Sequence, residues 1–150
     1  MAVVGPRQGA DTDIVGDFVR QLYRENPAIT LISGGAKGVD SVAESTWFGL
    51  GGLVWSFRIR QLGQDTWAAE KWVYSQQGDQ NARFVLQGHP TFMDPVSALF
   101  YRSTLAADEA DQVVAFEGRG KMRGTEFTYS YAKDRGIPVH LWQDGRWAPT

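Results

Sequence analysis

Three stretches of this chain hold residue types and spacings that could do chemistry. The first is Leu31-Ile32-Ser33-Gly34-Gly35-Ala36-Lys37-Gly38-Val39-Asp40. An apolar run ends in three glycines within five positions, and a helix-like pattern follows at Val39, Val42 and Ala43. A strand, a tight turn and a helix start in that order aim free backbone N–H groups and a positive helix end at one point. An anion, most often a phosphate, suits such a point. Glycine permits positive φ and close approach of a ligand, and Lys37 adds a mobile charge. The stretch is neither a Walker A loop nor a GxGxxG fingerprint. Glycine-rich turns also occur only to reverse the chain.

The second stretch, Glu117-Gly118-Arg119-Gly120-Lys121-Met122-Arg123-Gly124-Thr125, combines three glycines with three basic residues. Gly124 and Thr125 can offer N–H groups and a hydroxyl at a helix start, and Arg119 and Arg123 can clamp a diphosphate or a nucleic-acid backbone. A solvated loop without a ligand is the alternative. Glu117 and Glu126 are the carboxylates near this turn, and their spacing makes no catalytic pair, so the catalytic residues stay unassigned. The third stretch is Gly5-Pro6-Arg7. Arg7 reads either as a ligand-facing cation or as a partner for a carboxylate such as Asp40. Asp40 itself reads as a helix cap or an acceptor for a ribose hydroxyl rather than a base. Tyr101 and Arg102 read either as a base-stacking ring with a crevice-facing cation or as a half-buried tyrosine beside a surface arginine.

The elements that must position these residues alternate. Strands are expected at Ala2 to Val4, Ala28 to Ser33, Leu53 to Ile59, Val113 to Phe116 and Ile137 to Trp142. Helices are expected from Asp11–Asp13 to Glu25, Val39 to Gly49, Pro95 to Ala110 and Gly124–Thr125 to Gly136. This predicts an α/β fold, Rossmann-like and doubly wound, with a mainly parallel sheet and helices on both faces. All three turns then fall at carboxyl ends of strands, where such sheets bind ligands at a switch in strand order. Residues 61–95 read as an insertion. Asp65 or Thr66 would cap a short helix carrying Trp67, Ala68, Lys71, Trp72 and Tyr74, followed by a loop at Gln76 to Asn81 and a strand at Ala82 to Leu86. Trp67 and Trp72 would anchor that insertion or form a lid. Residues 143–150 read as a polar tail with an Asp144-Gly145 turn and a Trp147 that packs back.

Composition sets outer limits. The 150 residues suit one domain with a sizeable core. A net charge of −2 gives no global basic field for nucleic acid. The absence of cysteine excludes disulfides and thiolate metal sites, and His89 and His140 make no metal motif, so no metal is expected. No apolar run is long enough to span a membrane, and the amino terminus lacks a signal peptide's basic start. The expected compartment is the cytoplasm.

Val3-Val4-Gly5-Pro6-Arg7 followed by Ile32-Ser33-Gly34-Gly35-Ala36-Lys37-Gly38-Val39-Asp40 resembles the amino-terminal half of the SLOG superfamily. That group includes the DprA/Smf DNA-processing proteins, the LOG phosphoribohydrolases and small nucleotide-binding SLOG proteins. Tyr101-Arg102-Ser103, Ala110 to Phe116, Gly124-Thr125 and Gly136-Ile137-Pro138-Val139 are similar to its second set of motifs in order and spacing. The resemblance implies a Rossmann-like domain that binds a nucleotide or an ADP-ribose-like ligand as a sensor, carrier or sequestering protein. It implies a homodimer or larger assembly, and no cofactor beyond the bound nucleotide. LOG enzymes carry a GGxGTxxE motif with a catalytic glutamate, and here Thr128 stands at that position. The enzyme alternative is a nucleotide N-glycosidase resembling the phosphoribohydrolases. The other alternative is a DprA-like single-stranded DNA-binding accessory, with Arg58, Arg60 and Arg102 extending the basic loop.

Overall fold

The computed structural model describes residues 1–7, 9–76, 82–85, 89–118 and 123–149, with side chains left aside at 82–85 and 123. The element order is β1 (Ala2–Val4), α1 (Thr12–Glu25), β2 (Thr30–Ser33), α2 (Val39–Gly49), β3 (Leu53–Gly63) and β4 (Thr66–Tyr74). Then come β5 (Ala82–Val85), β6 (Thr91–Phe92), α3 (Pro95–Glu109), β7 (Val113–Phe116), α4 (Arg123–Asp134), β8 (Val139–Gln143) and β9 (Arg146–Trp147). The described strands form one sheet in the order β5-β4-β3-β2-β1-β7-β8-β9, with β6 on β4.

The centre of the sheet, β3-β2-β1-β7-β8, is parallel. The chain runs outward from β1 through β2 to β3, then returns through α3 to β7 on the other side of β1. The order therefore switches between β1 and β7, as in a doubly wound α/β fold. Side-chain alternation explains why both faces must be covered. Val3, Leu31, Val54, Val114 and Phe116 pack with Val15, Val19 and Leu22 of α1 and Val39, Ala43 and Trp47 of α2. Their neighbours Ala2, Val4, Ile32, Phe57, Val113 and Ala115 pack with Ala106 and Ala107 of α3 and Ala132 of α4.

Local signals place the helices. The Asp11 carboxylate accepts from the N–H groups of Asp13 and Ile14 at 3.0 and 3.3 Å, capping α1. Asp94 accepts from the Ser97 N–H at 2.7 Å, with Pro95 in the first turn of α3.

The region after residue 60 departs from expectation. β3 continues to Gly63 and turns back as β4, paired antiparallel from Val54–Tyr74 out to Gly63–Thr66. Thr66–Tyr74 is thus a strand, not a helix, and Asp65 lies in a hairpin turn rather than at a helix cap. Trp67, Ala68, Lys71, Trp72 and Tyr74 fit one side of a helix, yet most are aromatic or sit beside β-branched residues, which favours a strand once a partner is present. Alternation puts Trp67 and Trp72 on opposite faces of β4, so the two rings do not act as a pair. The strand expected at 82–86 is observed as Ala82–Val85, with Leu86 outside the described residues. Of the expected loop at 76–81, residues 77–81 also lie outside them. The tail forms a β8–β9 hairpin through Asp144 and Gly145. Trp147 packs back on Phe18, Phe116 and Trp142, with ring centroids 5.5, 5.9 and 5.1 Å away.

Candidate functional site

The carboxyl ends of β1, β2 and β7 come together, and contacts too close for a Cβ mark the junctions. Gly38 has φ +82° and lies against the carbonyl oxygens of Pro6 and Arg7, where an added Cβ would come within 2.5–2.6 Å. The Val39 N–H donates to the Pro6 oxygen at 3.3 Å. Gly5 lies against Val39, and Gly118 lies against Pro6. Three turns distant in sequence thus share one edge, as the strand order requires.

The glycine turn after β2 is packed by the protein's own side chains. A Cβ on Gly34 would sit 2.9 Å from an Asp40 carboxylate oxygen and 3.2 Å from the Arg102 guanidinium. One on Gly35, at φ +67°, would meet Arg58 at 2.7 Å. Arg102 reaches from α3 and donates to the Gly34 carbonyl. Asp40 is 5 % exposed. It does not cap α2, whose cap position is Gly38 without a side-chain bond. Its Oδ2 instead accepts from the Ala36 N–H at 3.4 Å. Asp40 Oδ1 and Arg102 Nε are buried with no hydrogen-bond partner among the described residues.

Burial pushes the Asp40 carboxyl up to about 7, against the opposing pull of Arg102. Burial also lowers Arg102, with Asp40 opposing the shift and Arg7 adding to it. Arg7 is exposed and acts on Arg102 as a like charge, and the cation whose charge acts on Asp40 is Arg102.

Beside this pair lies a network that sequence reasoning missed. The Glu44 carboxylate, 4 % exposed, accepts from Ser33 at 2.7 Å, Ser56 at 3.0 Å, Arg58 at 3.0 Å and the Tyr74 hydroxyl. Ser33 and Ser56 are directly opposite in the β2–β3 register, which aims both hydroxyls at one point under α2. Burial and Glu44 together raise the Tyr74 phenol above its ordinary range. The Ser33 hydroxyl, expected to face a ligand, also accepts from the Gly35 N–H at 3.0 Å. Its hydrogen bonds brace the turn from behind. The available sequence signal was a serine beside the apolar runs Leu31-Ile32 and Leu53-Val54-Trp55, and Glu44 four residues after Asp40 on the same helix face.

The remaining candidates divide. Lys37 is exposed at the tip of the turn and Ala36 is half-buried. The Tyr101 hydroxyl bonds His89 Nδ1 at 2.5 Å, and its ring packs on Phe92 at 5.3 Å, so both of its faculties are engaged near β6. Thr125 is buried and Gly124 exposed in the first turn of α4. Arg123 begins that helix, while Arg119, Gly120, Lys121 and Met122 lie outside the described residues. Thr128 donates from its hydroxyl to the Gly124 carbonyl at 3.0 Å and is buried. Glu126 is exposed.

A cavity of about 380 Å³ opens next to Gly118, lined by Asp11, Ile14, Phe116, Glu117, Trp142 and Asp144 among others. It adjoins the β1–β7 switch on the α1 side, and none of residues 33–40 lines it. Its wall is aromatic and acidic, whereas the β2–α2 turn beside Arg102 is the cationic part of the edge. Among the described residues no group of three or more His, Cys, Asp or Glu is arranged to hold a metal ion, and no helix is long and apolar enough to cross a membrane. The chain matches no family model, no curated protein and no solved structure.

Proposed function

We propose that this α/β domain binds a nucleotide or ADP-ribose-like ligand across the carboxyl edge of its sheet, holding the ligand intact as a sensor, carrier or sequestering protein. The observation that carries this reading is a half-buried arginine, Arg102, whose buried Nε lacks a partner among the described residues where the turns after β1, β2 and β7 converge. Phosphate would lie toward Lys37, Arg102 and the start of α4, and ribose and base toward the cavity at Trp142. Carboxylates accept from sugar hydroxyls, and a tryptophan suits a base, so the acidic and aromatic wall fits that half of the ligand.

The test is a thermal-shift and calorimetric survey with AMP, ADP and ADP-ribose. One of these is expected to raise the melting temperature, and Lys37→Ala, at an exposed position, is expected to weaken it about tenfold (~1.4 kcal/mol). No shift with any of the three, together with salt-dependent binding of single-stranded DNA, overturns the reading in favour of a nucleic-acid partner.

One observation favours a hydrolytic reading. Glu117 lines the cavity and brings a carboxylate to where the sugar would sit. Free base released by the wild type but not by Glu117→Gln would establish that activity.

A further inference from the structure

We propose that the pocket between α1 and the amino-terminal half of β7 and β8 binds a small organic amine, a primary ammonium carried on an aromatic or alkyl body. This pocket shares no lining residue with the cavity at Gly118, so the proposal stands apart from the nucleotide reading.

The fold opens the space. On the face of α3 and α4, Ala106, Ala107 and Ala132 pack against Val113 and Ala115 of β7. On the α1 face the Trp147 ring folds back from β9 onto Phe18, Phe116 and Trp142. Beside that contact remains a cavity of about 400 Å³, within the range of small-molecule sites. Val114 and His140 line it and stand directly opposite each other in the β7–β8 register. Phe18 and Leu22 of α1 and Trp147 of β9 supply its apolar and aromatic walls.

Charge and polarity choose the occupant. Glu25, exposed in the last turn of α1, brings a carboxylate to the pocket. The neighbouring cations are committed elsewhere. Arg24 donates to Gln21 Oε1 at 3.3 Å, and the Met1 ammonium pairs with Asp111 at 3.3 Å. Glu25 accepts from the neutral Gln21 amide at 3.0 Å and has no ion pair among the described residues. The carbonyl end of α1, with its partial negative charge, adjoins the same carboxylate. Among the described residues no Lys or Arg lines the pocket. An anion would be repelled at this end, and a neutral molecule would gain nothing from it. His140 is half-buried and its ring makes no hydrogen bond among the described residues. With the Gln112 amide it adds acceptors to the same lining. A primary ammonium answers these groups with one charge and three donors, and the aromatic walls suit an apolar body behind it.

The experiment is calorimetric titration of the full chain with three probes on one scaffold: phenethylamine, 2-phenylethanol and 3-phenylpropionate. The Trp147 indole N–H resonance, identified with Trp147→Phe, reports whether each binds in this pocket. Phenethylamine is expected to bind tightest, to move that resonance, and to be followed by the alcohol and then the carboxylate. Glu25→Gln, at an exposed position, is expected to weaken phenethylamine about threefold, as for an exposed ion pair, and to leave 2-phenylethanol unchanged. Four results each overturn the proposal: equal affinity for phenethylamine and 3-phenylpropionate, a Trp147 resonance unmoved at saturation, unchanged phenethylamine affinity in Glu25→Gln, or no binding of any probe. Should Glu25→Gln fail to fold, the order of the three probes on the wild type decides alone.

Discussion

Asp40 and Glu44 sit one turn apart on α2, both nearly without solvent, and the fold treats them in opposite ways. Glu44 receives hydroxyl donors from β2 and β3, a phenol from β4 and a guanidinium. A buried carboxylate so provided for is a brace that ties the glycine turn to the sheet. Asp40 has a long backbone bond, one cation and an oxygen without a partner among the described residues. Its folded-state carboxyl, at about 7 against an ordinary 3.8, binds more protons than the unfolded chain between those two values. Its contribution to stability is therefore fully present below about pH 4 and is lost as pH rises through about 7. Urea unfolding of the wild type is expected to show this loss between about pH 4 and 7, and Asp40→Asn is expected to flatten that part of the profile. An unchanged slope in the variant would show that Asp40 ionises normally.

At the scale of elements, the hairpin of β3 and β4 shows how partner strands outweigh periodicity. In a strand, Lys71 lies opposite Phe57 and its ammonium stands 3.6 Å from the centre of the Trp55 ring. On the other face, Arg58 lies 4.4 Å over Trp72. A helix across 66–74 would give Lys71 no fixed relation to Trp55. A double-mutant cycle of Lys71→Gln and Trp55→Leu is expected to give a coupling of about 0.5–1 kcal/mol. Zero coupling would contradict the cross-strand placement. The same hairpin supplies Arg58 and Tyr74 to the Glu44 network, so a segment that reads as an insertion helps brace the glycine turn.

At the scale of the molecule, two helical layers share one sheet, and damage on one face should reach the other. Trp47 of α2 is fully buried, donates from Nε1 to the Leu53 carbonyl at 3.1 Å and meets the edge of Tyr23 at 5.2 Å. Gly52 passes so close that a Cβ there would lie 2.1 Å from the indole nitrogen. Trp47→Ala is expected to cost about 3–5 kcal/mol and to lower the melting temperature by roughly 10 °C. Circular dichroism and tryptophan fluorescence should still report one transition, and two separated transitions would mean that the layers unfold independently. The α/β alternation, the bounds of α2, the starts of α1 and α3 and the turns at strand ends were legible in the sequence, whereas Asp40 and Asp65 read as helix caps and are not. The legible features follow from contacts within a few residues: apolar period, a capping carboxylate, a glycine after a strand. The strand character of Thr66–Tyr74 was not legible, because pairing with β3 decides it and the local apolar spacing fits a helix equally well. Nor could local pattern choose between Arg7 and Arg102 as the cation whose charge acts on Asp40. α3 brings Arg102 across 62 positions of sequence, and only the packing of α3 against the sheet edge sets that distance. The sequence by itself determined where a glycine turn falls between a strand and a helix. Tertiary structure decided that the carboxylate of Asp40 and the guanidinium of Arg102 pack against that turn, because burial and long-range contact are properties of the assembled edge and of no single stretch.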